Sequence, residues 1–254
     1  MNDKITIFDF DDTYDLQDFY KNSQFERVDL TNIHGVFGYC DDETLKRLKN
    51  IILKEDTSGI NFLGSGNYHY MTYLLMQKVY KPFTLVLFDH HTDMMNSLFG
   101  NLMSCGCWVK RALDENKMLK KVIIIGVEKK LIDNIDEKYR NRVFCYSEED
   151  IKHNILWTSF LKDKIDKPIY ISIDKDVIGK DEAKTNWQQG ILTLEELREI
   201  FDFLVDNGEV ISVDVCGECS SRDEIVENFY SDSIINSEAN KEIIEMVEEE
   251  SIVN

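Results

Sequence analysis

Three short stretches of the sequence concentrate the side-chain types that bind metal ions. They are Gly66-Asn67-Tyr68-His69, Asp89-His90-His91-Thr92-Asp93 and Ser172-Ile173-Asp174-Lys175-Asp176. In an extended backbone alternate side chains share a side, so the ligands within a stretch can converge on one point. Carboxylates combined with imidazoles suit a hard or borderline divalent ion. Because the stretches offer more ligands than one ion normally takes from a protein, we predict a pair of ions. The candidate ligands are His69, Asp89, His91, Asp93, Asp174 and Asp176.

Apolar runs typical of β-strands precede these three stretches. The strand candidates in the whole chain are residues 5–9, 60–63, 84–89, 121–127, 142–146, 168–172 and 209–215. Most lack alternation of apolar and polar residues, which indicates strands buried on both faces, as in a parallel sheet. Ligands of such sheets bind beyond the carboxyl ends of the strands. The three stretches are therefore expected to meet at one edge of the sheet.

Segments with helical spacing lie between or after these strands. They are residues 42–53, 193–205 and 237–247, and the second opens with the capping-box pair Thr193 and Glu196. The alternation predicts an α/β fold class, a three-layer αβα arrangement with a mostly parallel central sheet. No linker-like tract interrupts the chain, so we expect one domain over residues 1–254, with an acidic helical C-terminal segment at 222–254.

Composition excludes several classes of protein. The 254 residues include 48 acids and 29 bases, a net charge of −19 that would repel the phosphates of a nucleic acid. No apolar run approaches the ~20 residues of a membrane span, and the N-terminus lacks the order of a signal peptide. A cytoplasmic protein without nucleic-acid or membrane partners is expected, with its six cysteines reduced.

The three ligand-rich stretches, in this order, resemble the signature of the arginase and agmatinase family of ureohydrolases. The family's GGDH element corresponds to residues 66–69, its DAHxD element to residues 89–93 and its SxDxD element to residues 172–176. The resemblance implies that the six candidate ligands hold two Mn²⁺ ions per chain. It also implies hydrolysis of a C–N bond in a small linear amidine or guanidino compound by metal-bound hydroxide, and the homo-oligomers common in the family.

The same resemblance suggests catalytic and substrate-binding residues. Asp93 and Glu218 are the catalytic candidates, and the Glu218 carboxylate would also pair with the cationic group of the substrate, although it lies one position later than the family's Glu. Asn101 matches the family's Gly-Asn-Leu and is a substrate-binding candidate. The family then has a proton-shuttling histidine, whereas this chain has Met103, which transfers no protons. A catalytically silent, metal-binding member of the family is therefore an alternative.

The opening ITIFDFDDTYD supports a different enzyme. An apolar strand followed by Asp9, Asp11 and Thr13 resembles the nucleophile loop of haloacid-dehalogenase-like phosphatases. In that alternative Lys129 or Lys130 would neutralise phosphate, and the acidic pair at residues 174 and 176 would hold magnesium.

Four cysteines offer a second competing site. Cys105 with Cys107 and Cys216 with Cys219 could form a four-thiolate zinc site, or the second pair alone a CxxC redox couple. Alternatively, they are small buried apolar residues, or the second pair lines the substrate pocket.

Overall fold

The computed structural model describes residues 4–97, 100–153, 155–220 and 229–253, with side chains up to residue 248. Ten strands fall within these ranges. In chain order they are β1 (Ile5–Asp9), β2 (Phe25–Asp29), β3 (Tyr39–Cys40), β4 (Ile60–Phe62), β5 (Phe83–Phe88), β6 (Met103–Ser104), β7 (Leu119–Val127), β8 (Val143–Ser147), β9 (Ile169–Asp174) and β10 (Val210–Cys216).

Eight of these strands form one parallel sheet in the order β2-β1-β4-β10-β9-β5-β7-β8. The remaining two, β3 and β6, form a small antiparallel pair. The central strands are continuous apolar runs because both faces of the sheet are covered. The carboxyl ends of β4, β10, β9 and β5 are adjacent, and this edge carries the ligand-rich stretches.

Helices cover the sheet. In the described ranges they are α1 (Asp42–Ile52), α2 (Met71–Leu75), α3 (Trp108–Glu115), α4 (Lys129–Ile132), α5 (Glu148–Lys152), α6 (Trp157–Lys162), α7 (Leu194–Asn207) and α8 (Phe229–Val253). Thr193 and Glu196 form the predicted capping box of α7. None of the helices within these ranges has the length and apolar character needed to cross a membrane.

Two apolar clusters lie on the two faces of the sheet. On β5, Leu85 and Leu87 belong to the cluster that contains residues of α1, α2 and α3, whereas Val86 and Phe88 belong to the cluster that contains residues of α6, α7 and α8. Alternate side chains of a strand point to opposite faces, so one strand contributes to both clusters. The predicted three-layer αβα fold with a parallel central sheet is confirmed.

The seven predicted strands are present, with ends that differ by at most a few residues, but β2 was not predicted. Its sequence, FERVD, alternates with polar residues and lies mostly exposed at the edge of the sheet. The predicted helix 237–247 lies within the longer α8. Residues 222–228 of the predicted acidic helical segment precede α8 and lie outside the described residues. The single domain over residues 1–254 stays a prediction.

Candidate metal centre

The three ligand-rich stretches border one cavity of about 410 Å³ at the carboxyl edge of the sheet. All six predicted ligands line it: His69, Asp89, His91, Asp93, Asp174 and Asp176. Asp89 directly follows β5, Asp174 ends β9, and His69 follows a 3-10 turn beyond β4. The parallel arrangement of three central strands is what brings them together. Their role as metal ligands stays a prediction.

His69 is the centre of a first group of side chains. Its Nδ1 lies 3.1 Å from Asp93 Oδ2, 3.4 Å from Asp174 Oδ2 and 3.5 Å from Asp89 Oδ2. All four side chains are at most 8% exposed. His69 forms one potential ligand group with Asp89 and Asp93, and Asp174 lies on another side of the same nitrogen.

His91 is the centre of a second group. Its Nδ1 lies 2.7 Å from Asp176 Oδ2 and 3.5 Å from Asp89 Oδ1. Asp89 thus presents one oxygen to each histidine. Two adjacent sets of ligand atoms that share a carboxylate can hold two ions close together.

The burial and the charges of these groups favour bound cations. Burial, with the charges of Asp93 and Asp176, raises the pKa of Asp89 well above its usual value. Burial and the charge of Asp174 raise the pKa of Asp176 to about 7. Burial lowers the pKa of His91, but hydrogen bonding to Asp176 and Asp89 outweighs it and raises the pKa to about 12. In the protein alone, Asp89 and Asp176 gain from holding protons that metal ions would replace.

Within the described ranges, one carboxylate oxygen of Asp89 has no hydrogen-bond partner that could replace a cation. Asp89 Oδ2 is buried and accepts no hydrogen bond from the described residues. An unpaired buried carboxylate oxygen is costly, and a bound cation would remove that cost. Oxygen and imidazole donors in this number fit divalent ions such as Mn²⁺, so the residues present fit the implied metal pair.

A chain of hydroxyl groups holds His69 in position. Its Nε2 lies 3.0 Å from Ser172 Oγ, and Ser172 Oγ donates to Asp214 Oδ1 at 2.6 Å. Since the serine hydrogen is used on Asp214, the serine oxygen can accept from His69 Nε2, which leaves Nδ1 facing the carboxylates. Burial lowers the pKa of His69, but its neighbours Cys216, Asp174 and Asp93 outweigh burial and raise that pKa well above its usual value, so Nδ1 carries a proton that a metal ion would replace. Asp214 also accepts from Thr72 Oγ1 and Tyr170 OH, at 3.0 and 2.6 Å. The buried carboxylate is therefore well satisfied and anchors the chain.

Asp93 is held by a tryptophan at the start of α3. Trp108 Nε1 donates to Asp93 Oδ2 at 2.5 Å, and Trp108 is fully buried. The backbone of Asp93 has φ +50°, in the left-handed region that residues other than glycine rarely adopt. This backbone conformation and the indole donor together direct the carboxylate toward His69.

Glycine beside Asp174 permits the close packing of this edge. Gly217 has φ +93°, and a Cβ at this position would lie 2.4 Å from Asp174 Oδ1 and 2.6 Å from the Lys175 nitrogen. No side chain fits there without moving a candidate ligand. This is the position of the family's Glu according to the sequence resemblance, so the chain has no carboxylate at that point.

Cys216 lies beside the predicted ligands, in keeping with the sequence alternative that placed it at the substrate pocket, although it was not among the six predicted ligands. Its Sγ donates to Asp174 Oδ2 at 3.2 Å, and with His69 the two side chains form a third potential ligand group. Burial raises the pKa of this thiol well above its usual value. The signal that could have found it is its position at the end of β10, between the strands that carry the candidate ligands.

The four cysteines do not assemble into a zinc site. None of the six cysteines forms a disulfide, and the potential metal groups of the described residues include Cys216 but none of Cys105, Cys107 and Cys219. Cys105 instead lines the cavity. Neither a four-thiolate site nor a Cys216–Cys219 disulfide is present.

Glu218 and Asn101 lie outside the cavity lining. Glu218 is 1% exposed and accepts hydrogen bonds from the side chains of Lys175, Gln17, Asn236 and Asn240. It follows Gly217, which stands at the position of the family's Glu, and these four side chains hold its carboxylate in a buried network apart from the cavity. Asn101 is exposed, and its backbone carbonyl accepts from Arg111. The structure does not bring these two candidates to the predicted ligands.

The acids of the opening stretch are also engaged elsewhere. Asp9 Oδ2 accepts from Arg27 Nε and Nη2 at 3.0 and 2.7 Å. Asp11 Oδ2 accepts from Ser220 Oγ at 2.7 Å and Tyr68 OH at 3.3 Å. None of these acids lines the cavity. They tie loops together at the edge of the sheet, which is the role expected of acids that follow a first strand.

Comparisons with known proteins agree with this geometry. The profile described as Arginase family matches residues 5–224. A protein of Thermotoga maritima, itself named only as uncharacterized, is 34% identical over 214 residues, 84% of this chain and 79% of that protein. The structure of proclavaminate amidino hydrolase from Streptomyces clavuligerus has a TM-score of 0.68 at 16% identity, covering 96% of this chain and 90% of that one.

A further solved structure similar in fold is that of a formiminoglutamase variant from Trypanosoma cruzi with Mn²⁺. It has a TM-score of 0.65 at 10% identity, covering 96% of this chain and 92% of that one. At such identities the structures show a common fold, whereas the family profile covers most of the sequence. The chain belongs to the arginase family.

Proposed function

We propose that this chain is a hydrolase that uses two Mn²⁺ ions to cleave a C–N bond in a small linear amidine or guanidino compound. The observation that carries the proposal is the pair of ligand groups that share Asp89 in one cavity. Family membership supports it, since relatives similar in fold are named for amidino and formimino substrates. Mn²⁺ is suggested by the donor set and by the ion named in one of these relatives.

The two ions would divide the ligands between them. One would take His69 and Asp93, the other His91 and Asp176, with Asp89 common to both and Asp174 at 3.4 Å from His69 Nδ1. When bound, such a pair lowers the pKa of water and supplies a hydroxide nucleophile near neutral pH. In the reaction, water oxygen becomes bonded to the amidine carbon, the C–N bond breaks, and the amine leaves with a proton.

The protein's own groups orient this chemistry. The Ser172–Asp214 chain holds Nε2 of His69 and directs Nδ1 toward the carboxylates, where an ion would replace its proton. Asp93 is the most exposed of the four carboxylates at 8% and is our candidate to accept the proton of the attacking water. Trp108 donates to it and keeps that carboxylate facing the cavity. Neither Glu218 nor Asn101 has a part in this scheme, because both lie outside the cavity.

Metal content and a compound screen test the proposal. The purified chain, loaded with Mn²⁺ and freed of excess ion, should contain close to two ions. The loaded protein should then release urea, formamide or ammonia from at least one compound in a panel of guanidino and formimino compounds. His91→Ala and Asp174→Ala should each lose bound metal and hydrolysis, because each removes a ligand of one group.

Asp9→Asn is the matched control, since Asp9 is a buried acid at the same sheet edge but lies outside the cavity. It should keep metal and activity. Metal binding without hydrolysis of any compound would instead support the catalytically silent alternative. Hydrolysis of a phosphate ester with Mg²⁺, lost in Asp9→Asn, would overturn the proposal in favour of a phosphatase.

A further inference from the structure

The cavity next to the candidate ligands has a large apolar surface. Beyond the six ligands its lining includes Phe37, Tyr39, Met95, Leu131 and Trp187. Three of these are unusually open to solvent: Tyr39 is 54%, Met95 61% and Trp187 38% exposed. Large apolar side chains that face solvent within a concave site mark a surface that a ligand covers.

This apolar surface directly adjoins the predicted ligands. The ring of Trp187 stands edge-on to that of His91, with centroids 5.8 Å apart. The indole also packs on the backbone of Gly66, where a Cβ would lie 3.1 Å from its Cδ1 and Nε1. Gly66 begins the turn that carries His69. A compound with its reacting carbon near the ligands would therefore place the rest of its chain against Trp187.

The described part of this lining holds histidine but neither lysine nor arginine. Lys110 comes near, because its Nζ donates to Asn96 Oδ1, a lining residue, at 2.5 Å. However, Asp136 Oδ2 accepts from the same Nζ at 2.8 Å and neutralises it. The cavity thus offers four carboxylates, two histidines, apolar surface and a few neutral polar groups.

A carboxylate on the substrate would be poorly accommodated in such a cavity. Against the apolar part of the cavity it would lose water without gaining a lysine or arginine partner from the described lining. An apolar chain would instead replace water over Trp187 and Met95. Resting on the proposed function, we propose that the substrate is an amidine or guanidino compound whose tail is apolar and carries no carboxylate.

A matched pair of compounds tests the tail directly. Butylguanidine and 4-guanidinobutanoate differ by the carboxylate at the end of the chain. The Mn²⁺-loaded protein should hydrolyse butylguanidine with a kcat/KM at least about tenfold higher, because an unpaired carboxylate would be buried in the second case. Butylamine and 4-aminobutanoate cannot be hydrolysed, and titration calorimetry should show the same preference in their binding.

Two lysine variants test whether the preference for the uncharged compound arises in the cavity. Met95→Lys places a cation at an exposed lining position and should reverse or abolish the preference for the uncharged compound. Leu156→Lys adds the same charge at a residue that is 70% exposed and outside the cavity, and should preserve it. An equal change of the preference in both variants would indicate an effect of net charge and overturn the assignment.

If the unaltered protein turned over and bound the carboxylate compounds as well as, or better than, the uncharged ones, the inference about the tail would also be overturned. The metal binding and hydrolysis themselves would still support the proposed function. Failure of the proposed function gives a different result. If the protein bound no Mn²⁺ and hydrolysed none of the compounds, the proposed function would fail, and binding of the two amines alone would decide the inference about the tail.

Discussion

At the scale of single residues, Ser172 decides which nitrogen of His69 faces the carboxylates. Ser172→Ala removes the group beside Nε2 and leaves the ring free to turn or to change tautomer. We expect Mn²⁺ affinity to fall about 10- to 100-fold, the usual effect of losing a partner that orients a ligand. Equilibrium dialysis or calorimetry with Mn²⁺ measures this change.

Ser212→Ala is the control for that variant. Ser212 lies on the neighbouring strand β10 and is 8% exposed, but its hydroxyl donates to the Thr57 carbonyl, away from the cavity. It should leave Mn²⁺ affinity unchanged. If both variants bound Mn²⁺ as the unaltered protein does, the orienting role of Ser172 would be refuted.

Gly217 allows a second prediction at this scale. Gly217→Ala imposes a left-handed conformation on an L residue and also drives a Cβ into Asp174. Gly35→Ala, at φ +72° with nothing within 4 Å of the new Cβ, imposes only the first effect. We expect Gly35→Ala to cost about 1–2 kcal/mol of unfolding free energy. Gly217→Ala should cost more and also weaken Mn²⁺ binding, which Gly35→Ala should not.

Denaturant unfolding and Mn²⁺ titration compare the two glycine variants. Equal losses of stability with unchanged Mn²⁺ affinity would mean that Asp174 and its loop move aside without consequence. The steric argument would then be wrong.

The sequence predicted which ligand types gather here but not how every side chain points. His69, Asp89 and Asp174 follow recognisable strands, so their convergence follows from parallel topology. Cys216 was predicted only to line the pocket, and its contact with His69 and Asp174 was not, because a cysteine at a strand end has no distinctive local pattern. Glu218 was assigned to the cavity from the family resemblance, and only the fold shows that its carboxylate lies in a separate buried network.

At the scale of elements, a buried ion pair joins the end of β9 to α8. Lys175 stands between two candidate ligands, and its Nζ donates to Glu218 and to Asn240 of α8. Gln17 and Asn236 donate to the other carboxylate oxygen, Oε2, at 2.9 Å each. Lys175 and Glu218 are each at most 1% exposed. The pair is satisfied on every side and lies beneath the ligand loop.

Lys175→Met should destabilise the protein by about 3–5 kcal/mol, since it leaves the Glu218 charge buried without a partner. Adding Glu218→Gln should restore part of the loss because it removes that charge. Unfolding in urea, followed by circular dichroism, measures both effects.

Lys241→Met, in α8, serves as the control for the ion pair. Lys241 is 37% exposed and pairs with Asp18 and Glu238 at the surface, so its removal should change stability little. A Lys175→Met protein as stable as the Lys241→Met protein would contradict the role of the buried pair.

The elements themselves were predicted to different degrees. Continuous apolar runs identified the central strands, and regular spacing identified α1 and α7. Strand β2 was missed because its polar alternation is common in loops, and the five-residue α2 because its buried residues show no polar face. Such elements are defined by their neighbours, not by their own sequence.

At the scale of the whole molecule, the cavity concentrates negative charge within a chain that already carries −19. Two divalent cations would offset the four carboxylates, so Mn²⁺ should stabilise the folded protein strongly. Free Mn²⁺ at 100 times its Kd should raise the unfolding free energy by at least about 2.7 kcal/mol. Differential scanning calorimetry with and without Mn²⁺ would show this as a higher Tm.

Asp89→Asn should lose most of this response, because Asp89 is common to both ligand groups. Asp136→Asn, at an exposed acid outside the cavity, should keep it. A Tm that rises equally in all three proteins would show that Mn²⁺ acts elsewhere on the acidic surface.

The left-handed backbone at Asp93 has a consequence for directed evolution of this protein. Asparagine tolerates φ +50° and keeps an acceptor for Trp108 Nε1, while it removes one of the crowded charges that raise the pKa of Asp89, so Asp93→Asn should fold more stably in the absence of metal. A library selected only for heat resistance in the presence of a chelator should therefore discard this aspartate early. The same library selected with Mn²⁺ present should retain it. Sequencing the two surviving populations would separate selection for folding from selection for function at a single codon.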